Sequence, residues 1–193
     1  MSDGLAVPCQ VMGKGGGVIL RPLRPDDAAS VQTLDLALAK DGRGMVLAPH
    51  QVRSVEDQRN AIEAMLAAAE RGSASLKAGA EVDEGGEPRL VATASLSQLE
   101  PTLCSHVGVF GLGVHPEYQG QGLGRALMTY LIAHAEVRGL RRLELYVRAD
   151  NPRAIGLYRS LGFALEGTRR RFSRLANGTY VDDHIMVRFL DAR

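Results

Sequence analysis

Residues His115–Leu127 read HPEYQGQGLGRAL and set Gln119, Gly120, Gly122 and Gly124 between a proline turn and a helical pattern. A strand that ends in a glycine-rich turn and opens a helix offers free backbone N–H groups, and the positive end of the helix dipole, to an anion such as a phosphate. Glycines let the anion approach without a Cβ in the way. A bare tight turn has the same local look, so the spacing has to discriminate.

A dinucleotide fingerprint needs G-x-G-x-x-G. Counted from Gly120 the third position is Arg125, and counted from Gly122 it is Leu127. The fingerprint fails both ways, although Glu144 stands at a ribose-binding distance along the chain. Near the start, GKGGG lacks the spacing and the Lys-Ser/Thr pair of a P-loop.

Upstream of the loop, residues 104–114 read as a strand. Two more strands, 73–82 and 89–98, flank DEGGEP, whose Gly, Pro and acidic residues suit a hairpin. A first strand over 18–23 leads to Asp26 and Asp27 at the start of a helix carrying Val31, Leu34 and Leu38. After KDGRG, Ser54 caps a second helix with Val55, Ile62, Met65 and Leu66 on its inward face.

Downstream, Leu123, Leu127, Tyr130, Leu131, His134 and Val137 keep helical spacing up to Arg138-Gly139. RRLELYV alternates as a strand. In ADNPRAIGLYRSLGF, Asn151 is an N-cap, Pro152 fits the first helical position and Gly162 ends the helix. The tail reads as a hairpin whose Asn177-Gly178 favours a type I′ turn. The order β-α-α-β-β-β-α-β-α-β-β predicts one α/β (α+β) domain over 18–193, after a flexible leader over 1–17, with a mixed, mostly antiparallel sheet.

Composition narrows the function. The 193 residues carry 23 Lys+Arg against 22 Asp+Glu, a net charge of +1, so no global field draws the chain to nucleic acid or an anionic membrane. Cys9 and Cys104 are too few for a disulfide framework, and no Cys/His spacing suits a metal. A cytoplasmic setting is expected, with neither signal peptide nor membrane span.

The gaps match Q/R-x-x-G-x-G/A as Gln119-Gly120-Gln121-Gly122-Leu123-Gly124. This resembles the acetyl-CoA pyrophosphate loop of the GCN5-related N-acetyltransferases (GNAT), and NPRAIGLYRSLGF resembles that family's asparagine-to-tyrosine segment. The resemblance spans about Val107 to Phe163 and implies a six- to seven-stranded sheet with splayed central strands. It implies acetyl-CoA as co-substrate, with no metal. The pantetheine arm would then pair with Leu112, Gly113 and Val114. The pyrophosphate would sit on amides from Gln119 through Arg125, with Asn151 contacting the arm.

Acyl transfer from a thioester to an amine needs a route for the amine's proton, donors for the oxyanion and an acid for the thiolate. By resemblance Tyr158 protonates the sulfur and the Val114 N–H binds the oxyanion. The family's glutamate position aligns with Gly108, so the base stays open. His106, two residues earlier, is one candidate, Glu100 and Asp150 are weaker ones, and water is another. No cysteine has a nucleophile's setting, so direct transfer is expected.

The acceptor is expected to be a small-molecule primary amine, recognised by KDGRGM and the final hairpin. Within the hairpin Arg169, Arg170, Arg171 and Arg174 form a basic run opposite Asp182 and Asp183. That run could hold an acceptor's anion or be a solvated face. The rival readings are acetylation of a protein N-terminus and a non-catalytic CoA-binding sensor. Homodimers are common in the family, but no apolar stripe places an interface.

Overall fold

The computed structural model describes residues 9–13, 16–42, 47–100 and 102–190. Among these residues eight strands and four α-helices run in the order β1 (Cys9–Gly13), β2 (Gly16–Pro22), α1 (Ala28–Asp41), α2 (Val55–Glu70), β3 (Leu76–Glu84), β4 (Glu87–Gln98), β5 (Val107–Val114), α3 (Leu123–Val137), β6 (Arg142–Arg148), α4 (Pro152–Ser160), β7 (Ala164–Arg174) and β8 (Tyr180–Phe189). They form one sheet, ordered β1-β2-β3-β4-β5-β6-β8-β7. Among the described residues only β5 and β6 pair in parallel.

The expected elements are present, with one strand more than the sequence suggested. The leader expected over 1–17 is corrected in its second half, where Cys9↔Leu20 through Gly13↔Gly16 pair as an antiparallel hairpin. A five-residue strand beside a glycine run carries too weak a period-2 signal to be told from a tether. Residues 1–8 lie outside the described residues.

Local chemistry sets the helix ends. Ser54 Oγ accepts from the Asp57 N–H at 3.1 Å, and Asn151 Oδ1 accepts from the Ala154 N–H at 3.1 Å. Gly42 and Gly162 end α1 and α4 with φ of 66° and 86°. Asp27 accepts from the Arg24 N–H and from the Arg21 guanidinium, which also holds Glu81 at 2.7 Å, so the start of α1 is tied to β2 and β3.

Two local expectations are corrected. The tail turn is not type I′, because only Gly178 among its described residues has positive φ, at 83°. Gly178 N–H donates to Leu175 O at 2.9 Å and Leu175 N–H donates to Thr179 O at 2.8 Å. A three-residue loop therefore forms a type I turn followed by a left-handed glycine. Val55 and Val137 face outward, 38% and 72% exposed, since tertiary packing uses a narrower stripe of each helix than the periodicity offered.

The sheet's two faces differ. Beneath α3 the main core joins Ala78, Ala92, Ala94, Leu96 and Phe110 to Leu127 and Leu131. Beneath α1 and α2 a smaller cluster holds, among the described residues, Leu23, Val31, Ile62 and Leu90 with Leu66.

Candidate active site

β5 and β6 are paired only from Val107↔Arg142 to Phe110↔Leu145. Beyond Phe110 the two strands part, while β5 stays paired with β4 out to Val114↔Ala92. The gap opens into a cleft of about 840 Å³ bounded by α1, the glycine loop and α4, a size suited to a small ligand.

Strand alternation decides which amides face the gap. The His115 N–H donates to Val91 O at 2.9 Å, so odd-numbered residues here face β4 and the even-numbered Leu112 and Val114 face the gap. Gly113, expected to pair with the pantetheine arm, spends its backbone on β4. Its lack of a side chain serves α1 instead, because an added Cβ would lie 2.4 Å from Leu38 Cδ1.

The loop is a backbone cradle. Gly120 and Gly122 have φ of 80° and 90°, a conformation that favours glycine. Gly122 stands at the N-cap of α3 with no side-chain cap, so the first-turn N–H groups have no capping side chain. An added Cβ at Gly122 would meet nothing within 4 Å, whereas one at Gly124 would press on Leu112 and Leu157 at 3.3 Å. Gln119 braces the loop, donating to Val114 O and accepting from Arg153, each at 3.1 Å.

Gln119, Gly120, Gly122, Leu123, Gly124 and Arg125 line the cleft; Gln121 does not, and its side chain donates to Glu117 O at 3.2 Å. Arg125 and Arg153 add positive charge beside the helix start. Asn151 lines the cleft while capping α4.

Tyr158 comes from α4 and is 7% exposed. Its ring packs edge-on to Phe163, with centroids 6.2 Å apart, and Phe163 packs in turn on Phe110, where the strands part. Burial pushes its phenol up to about 12. The hydroxyl makes no hydrogen bond to a described residue and is not sealed in the core, so it is free for a ligand in the cleft.

His106 is not brought to the site. It is exposed in the turn before β5, about 13 Å along the strand from Phe110 at ~3.3 Å per residue. Its carbonyl instead accepts from the N–H groups of Arg141 and Arg142. Sharing a strand face gives no proximity along that face. Gly108 points into the core, where an added Cβ would sit 2.6 Å from Leu96 and 2.8 Å from Leu140, leaving no room for an acid. Asp150 lines the cleft, but Arg148 binds both its oxygens at 2.9 and 2.7 Å and holds its pKa low. Glu100, Cys9 and Cys104 are not in the lining. Among the described residues no cluster of three His, Cys, Asp or Glu could hold a metal ion.

The basic run is mostly spent internally. Arg169 pairs with the buried Asp183 and stacks on Tyr146 and Phe172, 4.3 and 3.7 Å from their ring centroids. The Arg171 N–H donates to Asp182 at 2.7 Å within a bulge. Arg170 and Arg174 remain exposed. In KDGRGM, residues 43–46 lie outside the described residues.

Sequence reasoning missed Asp35, Lys77, Thr93, Ser95, Tyr146 and Arg148, all of which line the cleft. They come from four elements far apart in the chain, and no local motif joins them.

The chain matches the Acetyltransferase (GNAT) family over residues 37–163. It is 49% identical over 70 residues, 36% of this chain and 47% of the relative, to the ribosomal protein bS18-alanine N-acetyltransferase of Escherichia coli K12. It is 44% identical over 87 residues, 45% of this chain and 53% of the relative, to N-alpha-acetyltransferase RimI of Mycobacterium tuberculosis. The chain thus spans about half the length of these curated relatives. In three dimensions it resembles a GNAT-family acetyltransferase from Streptococcus pneumoniae, with a TM-score of 0.80, 21% identity and coverage of 90% of this chain and 99% of the other. It also resembles a phosphinothricin acetyltransferase from Sinorhizobium meliloti in complex with acetyl-CoA, with a TM-score of 0.74, 22% identity and coverage of 90% and 88%. The family match runs through β5, the glycine loop, α3 and α4, and the chain belongs to the GNAT acetyltransferase family.

Proposed function

We propose that the protein is an acetyl-CoA-dependent N-acetyltransferase that moves the acetyl group directly to a primary amine, probed most simply with small-molecule acceptors. The observation that carries this reading is the convergence, in one cleft, of an uncapped glycine-lined helix start, the unpaired edge of β5 and the unengaged hydroxyl of Tyr158.

The amides of the loop and first turn of α3 bind the diphosphate, with Arg125 and Arg153 adding charge. Leu112 and Val114 face the acyl arm with their N–H groups, and Val114, whose carbonyl is already held by Gln119, supplies a donor to the thioester oxygen. Tyr158 keeps its proton at neutral pH and delivers it to the departing sulfur. No side chain is assigned as base, and the amine's proton leaves through water in the open cleft. Neither cysteine lines the cleft, in keeping with direct transfer.

A small-molecule acceptor is supported by how the acceptor end is bounded. Arg148 donates to Gly42 O at 2.6 Å, tying β6 to the end of α1. The hairpin residues from Phe172 to Ala176 share a second cavity of about 340 Å³ with Gly42, Leu47 and Ala48. A protein N-terminus is the second reading, favoured by the names of the relatives, whose matches cover less than half of this chain. Calorimetry with acetyl-CoA, followed by thiol release over a panel of amines and N-terminal peptides, tests both. Binding without release from any acceptor would leave a sensor rather than an enzyme.

A further inference from the structure

The face of the sheet that α1 covers is polar where it meets the cleft. Lys77, Ser95 and Gly111 stand directly opposite one another across β3, β4 and β5, and Gly79, Thr93 and Gly113 form the next row. Residues paired in this way project from the same face. The contact an added Cβ at Gly113 would make with Leu38 identifies that face as the one beneath α1. The intervening residues Ala78, Ala94 and Phe110 belong to the apolar core on the other side.

Lys77 is largely enclosed. Burial lowers its pKa, Asp35 opposes that effect and Arg53 adds to it. Among the described residues it makes no hydrogen bond or ion pair. Asp35 already accepts from Gln58 Nε2 at 2.7 Å, and Gln58 is itself buried. The hydroxyls of Thr93 and Ser95 are likewise not engaged by a described residue. Burying an unpaired ammonium is costly unless an anion completes the site.

The row leads to the reacting end. Gly111 follows Phe110, where β5 and β6 part, and its missing side chain leaves Ser95 uncovered, since an added Cβ would lie 2.8 Å from Ser95 Oγ. We infer that the Lys77–Ser95–Gly111 row, with Thr93 beside it, seats a carboxylate of the acceptor, so that the acceptor is an amino acid rather than a simple amine. Lys77 supplies the charge and the two hydroxyls supply directional donors. The inference rests on the acetyl-transfer reading and names its substrate class.

The test uses the full chain saturated with CoA. Calorimetry compares the standard α-amino acids with their carboxamides, in the wild type and in Lys77→Met, Lys77→Arg and Ser95→Ala. We expect at least one acid to bind better than its amide by about 10- to 100-fold, the weight of a charge-assisted hydrogen bond. Lys77→Met should remove that preference by weakening the acid alone, Lys77→Arg should keep it, and Ser95→Ala should reduce it. Equal binding of acid and amide, no binding of any acid, or a preference that survives Lys77→Met overturns the carboxylate seat. If Lys77→Met does not fold, an unchanged preference in Ser95→Ala overturns it. Acetyl-CoA affinity is measured first. Its absence sinks the transferase reading and this inference together, whereas intact acetyl-CoA binding without an acid preference sinks only the inference.

Discussion

The two halves of the cleft are built from different materials. The proposed donor half is mostly backbone: the free edge of β5 at Leu112 and Val114, the left-handed glycines 120 and 122, and the uncapped start of α3. The proposed acceptor half is side chains, with Asp35 from α1, Lys77 from β3, Thr93 and Ser95 from β4 and Arg148 from β6 lining the cleft. Amides read a diphosphate whatever the neighbouring side chains are, so the donor half tolerates change around it. The acceptor half can change its ligand one side chain at a time.

The sharpest way to break this division is at the residue shared by both halves. Tyr158→Phe should lower kcat by about 100- to 10,000-fold while leaving acetyl-CoA affinity intact, as read by steady-state kinetics and calorimetry. An unchanged kcat in a folded variant removes Tyr158 from the mechanism. Burial raises this phenol to about 12, so its proton is retained until pH climbs toward that value. Tyr158 should therefore cause no descending limb in kcat below about pH 11. Stability gained by burying the neutral phenol is present below its ordinary value of about 10 and falls as pH rises from there toward about 12. A limb centred near the ordinary phenol value of about 10 would point to another group.

Gly108→Glu tests whether the site could carry a strand acid. With Leu96 and Leu140 pressed on that position, we expect a loss of about 3 kcal/mol or more in urea unfolding and no gain in rate. A stable, faster variant would mean that position 108 faces the cleft.

Gly122→Val adds a side chain in open space at a backbone angle that disfavours it. Acetyl-CoA affinity should fall by about 10-fold or more, combining strain of about 1–2 kcal/mol with an obstructed cradle. The KM for the amine should not move. A rise in the amine KM alongside the loss of acetyl-CoA affinity would show that the halves are coupled. The smallest expected effect is Asn151→Ala, which removes the cap of α4 and should cost about 1 kcal/mol, or roughly 2–4 °C in Tm.

Legibility followed the range of the interactions. Ser54, Asn151-Pro152 and Gly162 bound their helices as expected, because capping acts within three or four residues. His106 lies away from the cleft, and alternation along β5 reports the face and not the distance from the point where the strands part. Lys77, Thr93 and Ser95 did leave a trace in LKAGA and ATASL, where small or polar residues alternate with apolar ones. Such alternation says that one face is polar. It does not say that a helix covers that face or that a cleft opens beside it.

By itself the sequence determined the glycine loop, the helix it opens and the family to which both point, since each depends on backbone conformations set by adjacent residues. Only the tertiary structure decided which strand edge is free, that Gly113 makes room for α1, and that Lys77 and Ser95 share a row with Gly111. Those facts depend on pairings between β3, β4, β5 and β6 across long stretches of chain, and no local propensity encodes where distant strands meet or part.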